Sequence, residues 1–332
     1  MIRRSPVQLS FGRKGFGYRH ADMRASRQVL AWAAVVALCA FAAARGASLH
    51  AQDHLPTVSA SPAPSPEQLR ALLLQLVDNQ HRNDQSIHDF ERFERTISRK
   101  AGENSEISSD LTYRVMFSGT GILRMHVAEG GVPVPPEYYR TQLKGAIGAL
   151  DVAVHPNDRY RQDYAKFQKR TRERRELLDN AMKAFRVTWA GRETRGSRTL
   201  AKLLLEPDPS YKPTSRITGV FQHVRVTLWI DESDAQTARL EADIVDDVSF
   251  GGGIFGKIYR GGRFVMEQAE IEPGVWLPTL FDYNVDGRKF LFGFGVHDRT
   301  EIDRYRRVGP PAQALKFLRQ ELNGMSAQAP ML

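Results

Sequence analysis

Hydrophobic positions recur at two different spacings along the chain, and the change of spacing separates a helix from strands. Ser65 stands before Pro66 and Glu67, and leucines then follow at helical intervals, which predicts a helix with one buried face beginning at residue 66. Runs of β-branched and aromatic residues at 90–97, 111–117 and 122–127 are separated by glycines. These runs predict three antiparallel strands.

A helical insertion is predicted at about 136–184. Between residues 158 and 185 the apolar positions form a narrow stripe at helical spacing, which is typical of a long helix lying across a sheet. Its middle, residues 166–175, carries one acid and six basic residues, which are candidates for contacting an anionic surface or a partner: Lys166, Lys169, Arg170, Arg172, Arg174 and Arg175. Acids on both sides favour the plainer interpretation, a solvated helix.

Strands dominate the chain after residue 185. Alternating or apolar runs occur at 223–230, 239–243, 256–259, 264–271, 276–283 and 289–296, with turn signals at 251–253, 261–262, 273–274 and 286–287. This close spacing predicts an antiparallel meander in an α+β fold, without alternating strand–helix units. Glycines opposite aromatic residues suit a strongly curved sheet. Residues 310–332 are expected to form a short helix and a loose tail.

An extended apolar sheet face is the most distinctive functional feature of the sequence. Eight residues on three neighbouring runs are candidates for contacting a hydrophobic ligand: Phe264, Met266, Leu277, Phe281, Tyr283, Phe290, Phe292 and Phe294. In the run 289–296, alternation places Phe290, Phe292 and Phe294 on one face. The alternative is that these side chains form an ordinary core beneath a helix.

The amino-terminal region has the order of a secretory signal peptide. Sixteen apolar residues at 29–44 follow Arg24 and Arg27 and precede small residues, and this run is shorter than the roughly 20 residues of a spanning helix. We therefore expect a signal peptide at 1–51, with Met23 as an alternative start, and a flexible linker at 52–66. An uncut leader would be an inner-membrane anchor, so the body is expected to be periplasmic or to face outward from that membrane.

Charge and cysteine content narrow the possible partners. The formal net charge is +9, but residues 1–51 hold eight basic residues and one acid, which leaves 39 basic and 37 acidic residues in the other 281. The basic excess therefore does not predict a nucleic-acid partner for the body. The one cysteine, Cys39, lies in the apolar run, so the sequence after it offers no disulfide, thiolate metal site or cysteine nucleophile.

Catalytic motifs are not recognisable in the sequence. Residues 251–257 have the glycine and lysine spacing of a phosphate-binding loop, but Ile258 stands where Ser or Thr would reach magnesium, and a strand follows instead of a helix. Histidines are scattered, and the acids Asp243, Asp246 and Asp247 have no assignable catalytic partner. The expectation is a protein that is not an enzyme and has no cofactor.

The motifs of residues 203–308 resemble a known superfamily. The segment 219–231, ending V-T-L-W-I-D, the G-G-G-I-F-G-K segment, Glu267-Gln268 and V-W-L-P at 275–278 are similar to the periplasmic lipoprotein-sorting carriers of the LolA and LolB type. The chain resembles their large exported relatives of unassigned role more than the carriers themselves. The resemblance implies an incomplete, strongly curved antiparallel barrel, with helices on its concave side, at residues 67–309.

These observations predict an exported cell-envelope protein that binds a hydrophobic ligand without catalysis. The ligand is expected to be a lipid or the acyl chain of a lipoprotein, held in the concavity of the sheet, with transient membrane contact. The alternative is a structural or interaction protein of the envelope with a closed core. It would contact a partner or an anionic surface through residues 166–175.

Overall fold

The structure is a computed structural model that describes residues 58–59, 63–99, 105–215, 217–250, 256–290 and 292–327. The predicted signal peptide at 1–51 and the glycines at 251–253 lie outside these ranges, as do most of the linker residues. None of the helices in the described ranges is both long enough and apolar enough to cross a membrane.

The described residues include four α-helices, and each begins with a proline or a capping side chain. They are α1 (Pro66–Ser86), α2 (Pro136–Val154), α3 (Asp158–Ala184) and α4 (Pro311–Ala327). The predicted start of α1 is confirmed: the Ser65 hydroxyl accepts from the Gln68 backbone N–H, and the Gln68 side chain accepts from the Ser65 backbone N–H. Asn157 caps α3 in a similar way.

Fourteen strands of the described residues form one antiparallel sheet. They are β1 (Val58–Ser59), β2 (Phe90–Arg99), β3 (Ile107–Phe117), β4 (Ile122–Glu129), β5 (Val132–Pro133), β6 (Phe185–Arg195), β7 (Arg198–Pro207), β8 (Val224–Asp231), β9 (Gln236–Ile244), β10 (Val248–Phe250), β11 (Gly256–Ile258), β12 (Arg263–Glu272), β13 (Val275–Lys289) and β14 (Phe292–Arg307). Their order is β1-β6-β7-β8-β9-β12-β13-β14-β2-β3-β4-β5, and the β10–β11 hairpin pairs with the end of β13.

The sheet is curved and not closed, since the described path ends on two-residue strands, β1 and β5. The predicted α+β fold with a large antiparallel sheet is therefore confirmed. The two residues of β1 lie within the range predicted as a linker and pair with Arg192 and Glu193 of β6. Two-residue edge strands offer little backbone for unwanted pairing.

The predicted turn at Asp286-Gly287 is wrong. Both residues lie inside β13, where Asp286 pairs with Gly295 and Gly287 with Phe294, and β13 continues to Lys289. Phe290, at φ +54°, follows the end of β13, so it does not share a strand face with Phe292 and Phe294. Gly287 serves close packing, because a Cβ there would lie 2.7 Å from the Phe294 ring and 2.5 Å from the Lys257 carbonyl oxygen.

The four helices cover the two faces of the sheet in pairs. On β3, Met116 belongs to a cluster with residues of α2 and α4, whereas the next residue, Phe117, contacts Phe167 of α3. Since successive strand residues point to opposite faces, α2 and α4 lie on one face and α3 on the other. Helix α1 packs in the same cluster as α3.

Candidate hydrophobic-ligand site

The largest apolar cluster lies between the sheet and helices α1 and α3. It includes buried side chains of β6 to β9 and of β11 to β13, together with Leu73 and Leu76 of α1 and Ala181 and Ala184 of α3. Four of the predicted ligand residues lie in this cluster or pack against it: Phe264, Met266, Phe281 and Tyr283. Leu277 is fully buried as well. The structure therefore brings most of the predicted residues into the interior.

Helix α1 is fixed to the sheet by two buried asparagines. The Asn79 amide donates to the carbonyl oxygens of Asp234 and Ala235, both at 2.8 Å. The Asn83 amide donates to the Gln236 side chain at 2.8 Å, and its oxygen accepts from the Trp276 backbone N–H at 3.2 Å. Because these groups are buried, breaking any of the bonds leaves polar atoms without water. Buried hydrogen bonds therefore hold α1 against the sheet.

Helix α3 is attached to the rest of the protein in a different way. Its side chains are tied by Arg174 to Asp84, with Nε to Oδ2 at 2.6 Å, by Asp179 to His81 at 3.5 Å, and by Arg170 to the Thr120 carbonyl oxygen at 3.2 Å. At its carboxyl end, the Ala184 carbonyl oxygen also accepts from the Asp208 backbone N–H at 2.8 Å. The Arg174 and Asp179 side chains are each more than half exposed. Exposed ion pairs contribute little to stability, so α3 is held mainly by its narrow apolar stripe.

The space between α1, α3 and the sheet is almost filled. The remaining cavity has a volume of about 20 Å³ and is lined by Leu73, Leu76, Val77, Gln80, Leu178, Ala181, Met182, Phe185, Val187, Leu205, Leu228 and Thr237. A cavity of this size admits about one water molecule, whereas an engineered apolar cavity that binds benzene has about 150 Å³. An acyl chain can therefore reach this face only if α3 moves away from it.

Two predicted ligand residues lie outside this interior. Phe290 and Phe292, at the end of the β13–β14 hairpin, are 50% and 79% exposed. Phe294 is partly buried and packs over Gly287. The eight predicted residues therefore do not form one site: four belong to the cluster or pack against it, Leu277 is buried but is not part of that cluster, and three lie at or near the hairpin tip.

The predicted basic segment lies on the exposed side of α3. Lys166 pairs with Asp163 and Lys169 with Glu173, in both cases within the helix. Arg174 is engaged with Asp84, whereas Arg172 and Arg175 are exposed. Part of the basic charge is thus balanced locally, which weakens its attraction for an anionic surface.

Burial shifts the pKa of two titratable groups near apolar side chains toward the uncharged form. The His88 ring stacks on Phe117 at 4.1 Å and meets Phe167 edge-on at 5.7 Å, and burial lowers its pKa. Burial raises the pKa of Tyr283, whose hydroxyl donates to Asp298 at 2.7 Å. In the described ranges, no three His, Cys, Asp or Glu side chains are grouped to hold a metal ion.

A second concave site lies on the opposite face, between β2, β3, β14 and helices α2 and α4, with a volume of about 750 Å³. Among its lining residues are Glu91, Arg114, Arg306 and Glu321. Sequence reasoning missed it because these residues come from distant segments with no shared motif. The feature that best identifies this site in the structure is the buried ion pair between Arg114 and Glu91, which no periodicity in the sequence predicts.

Comparisons with known proteins identify similar structures at low similarity. No protein-family model and no curated protein matches the chain. A crystal structure of a DUF1329 family protein from Desulfovibrio piger is 11% identical, covering 72% of this chain and 93% of its own, with a TM-score of 0.27. A LolA superfamily protein from Nitrosomonas europaea is also 11% identical, covering 74% and 96%, with the same TM-score. Similarity this low assigns no function.

Proposed function

We propose that this is a non-catalytic, exported envelope protein that binds a lipid or acyl chain beneath helix α3. The observation that carries the proposal is the unequal attachment of the two helices covering the apolar face. Buried hydrogen bonds fix α1, whereas exposed ion pairs and a narrow apolar stripe hold α3. Helix α3 would then act as a lid, and the apolar face beneath it would receive the ligand.

The energies of exchange are of similar size. An acyl chain of about twelve methylenes gains on the order of 10 kcal/mol on burial, at about 0.8 kcal/mol per CH₂. Helix α3 contributes five large, partly buried apolar or aromatic side chains, Tyr160, Phe167, Leu177, Leu178 and Met182, besides two buried alanines. At about 1.5–3 kcal/mol for each fully buried large side chain, displacing them costs up to about 7.5–15 kcal/mol, and less because they are only partly buried. The two terms are therefore close to balance, so a ligand with a longer chain is needed to displace the lid.

A crosslink between α1 and α3 tests the lid. The full chain carries Cys39→Ser, so that only introduced cysteines react. The cysteines introduced by Asp84→Cys and Arg174→Cys are joined by a short bismaleimide. Uptake of a fluorescent C18 polyene fatty acid is then measured. The matched control joins Asp151→Cys to Arg319→Cys, which replaces an exposed ion pair between α2 and α4 on the other face. We expect the first crosslink to abolish uptake and the control to leave it unchanged. Equal uptake in both crosslinked proteins would refute the lid.

The cavity of about 20 Å³ favours a second candidate function, an envelope interaction protein whose core stays closed. It would contact anionic surfaces through residues 166–175. Flotation with phosphatidylglycerol vesicles tests it, using Arg172→Ala with Arg175→Ala. Salt-sensitive binding that these changes remove, together with no uptake of the fatty acid, would favour this function over a carrier.

A further inference from the structure

The carboxyl-terminal half of β14 contains a bulge with a strained arginine. Asp303 pairs with Phe93 and Arg306 with Glu91, so Arg304 and Tyr305 lie opposite the single residue Arg92 of β2, and β14 has one extra residue here. Arg304 has φ +50°, in the left-handed region that side chains other than glycine occupy at a cost. Bulges of this kind redirect side chains and are frequent beside functional sites.

The bulge places Arg304 beside two further arginines. Its guanidinium lies 3.8 Å from the centre of the Phe93 ring. The guanidinium groups of Arg306 and Arg114 lie 4.1 Å and 5.6 Å from the Phe317 ring. All three line the second concave site, which is a wide cleft of about 750 Å³ that is largely open to solvent. The stacking holds the guanidinium planes in fixed positions.

The three arginines differ in how fully their hydrogen-bonding capacity is used within the protein. Arg114 is 4% exposed and donates to Glu91, Glu321 and the Tyr139 hydroxyl. Arg306 is half exposed and pairs with Glu91. Arg304 pairs with its exposed neighbour Asp303 at 3.0 Å, a contact of little stability. An anion entering the pocket can therefore engage Arg304 and Arg306 without stripping Arg114 of its buried partners.

We propose that this pocket binds a small organic anion bearing a phosphate or carboxylate group. Arg304 and Arg306 contact the oxyanion, because the guanidinium fork matches two of its oxygens. Arg114 is a positioning residue that fixes Glu91, and through Glu91 the side chain of Arg306. Phe93 and Phe317 hold the Arg304 and Arg306 guanidinium planes in place for this contact. The site lies on the face opposite the proposed lipid site and does not depend on it.

Isothermal titration calorimetry on the full chain tests the proposal with inorganic phosphate and citrate at low salt. Vesicles of phosphatidylglycerol and of phosphatidylcholine provide a second arm. The informative variant is Arg304→Gly: glycine relieves the positive φ, so the protein keeps or gains thermal stability, while the guanidinium is lost. We expect affinity for the bound anion to fall by about tenfold or more.

Arg299→Gln is the matched control, since Arg299 is also an exposed, ion-paired arginine of β14 but lies outside the pocket. Its anion binding should equal that of the unchanged protein. Binding of phosphate or citrate that Arg304→Gly removes supports a soluble ligand. Binding of only phosphatidylglycerol vesicles, again removed by Arg304→Gly, supports a lipid headgroup. No binding in either arm, or equal binding by Arg304→Gly and the unchanged protein, would overturn the proposal.

Discussion

Replacing Asn79 and Arg174 separately by alanine compares the attachments of α1 and α3. Asn79→Ala removes two hydrogen bonds of 2.8 Å and leaves the buried Ala235 carbonyl unsatisfied. The expected loss is about 1–3 kcal/mol of unfolding free energy. Arg174→Ala removes a pair in which Arg174 is 62% exposed, for which about 0–1 kcal/mol is expected. The larger loss of stability is therefore expected for the substitution in α1, which buried hydrogen bonds hold, and the smaller loss for the substitution in α3.

Thermal unfolding followed by circular dichroism measures both effects. For a domain of 150–250 residues, about 1 kcal/mol corresponds to a shift in Tm of about 2–4 °C. A loss of about 2 kcal/mol in Asn79→Ala would therefore lower the Tm by about 4–8 °C, and Arg174→Ala should change it by a few degrees at most. Arg174→Ala should also speed uptake of the fatty acid, because it loosens the lid. A Tm loss in Arg174→Ala as large as that in Asn79→Ala would refute the reasoning.

Two further predictions concern the sheet itself. Gly287→Ala places a Cβ 2.7 Å from the Phe294 ring, so we expect a loss of about 1–3 kcal/mol in urea unfolding; unchanged stability would contradict this packing. Burial raises the pKa of Asp243 from 3.8 to about 6. The folded state therefore binds the proton of the Asp243 carboxyl group more tightly than the unfolded state does. The contribution of Asp243 to the free energy of unfolding falls as the pH rises from about 4 to about 6. Asp243→Asn should raise the Tm more at pH 7 than at pH 4, and an equal change at both would contradict this.

Local chemistry made the start of α1 and most strands predictable. Ser65, Pro66 and Glu67 are neighbours in the sequence, so they mark the start of the helix directly, whereas the reciprocal bond from Gln68 was seen only in the structure. Alternation likewise located β8 and the first half of β13. The turn at Asp286-Gly287 was wrongly predicted because a glycine required for close packing has the same sequence signature as a glycine required for a turn.

Features that depend on distant residues were not predictable. Whether Phe264 and Phe281 face a ligand or a core depends on the position of α3, which periodicity does not fix. The second pocket joins Arg114 to Glu321, 207 residues away. The bulge at Arg304 has no glycine to mark it, since the protein places an arginine in a conformation that usually favours glycine.

Hydrogen exchange of the full chain, with and without the bound C18 fatty acid, tests the lid most directly. We expect amides of α3 to exchange faster than those of α1 in the free protein. We also expect the fatty acid to increase exchange in α3 while α1 stays protected. Equal protection of the two helices, unchanged by the fatty acid, would contradict the central claim that α3 is a removable cover over an apolar binding face.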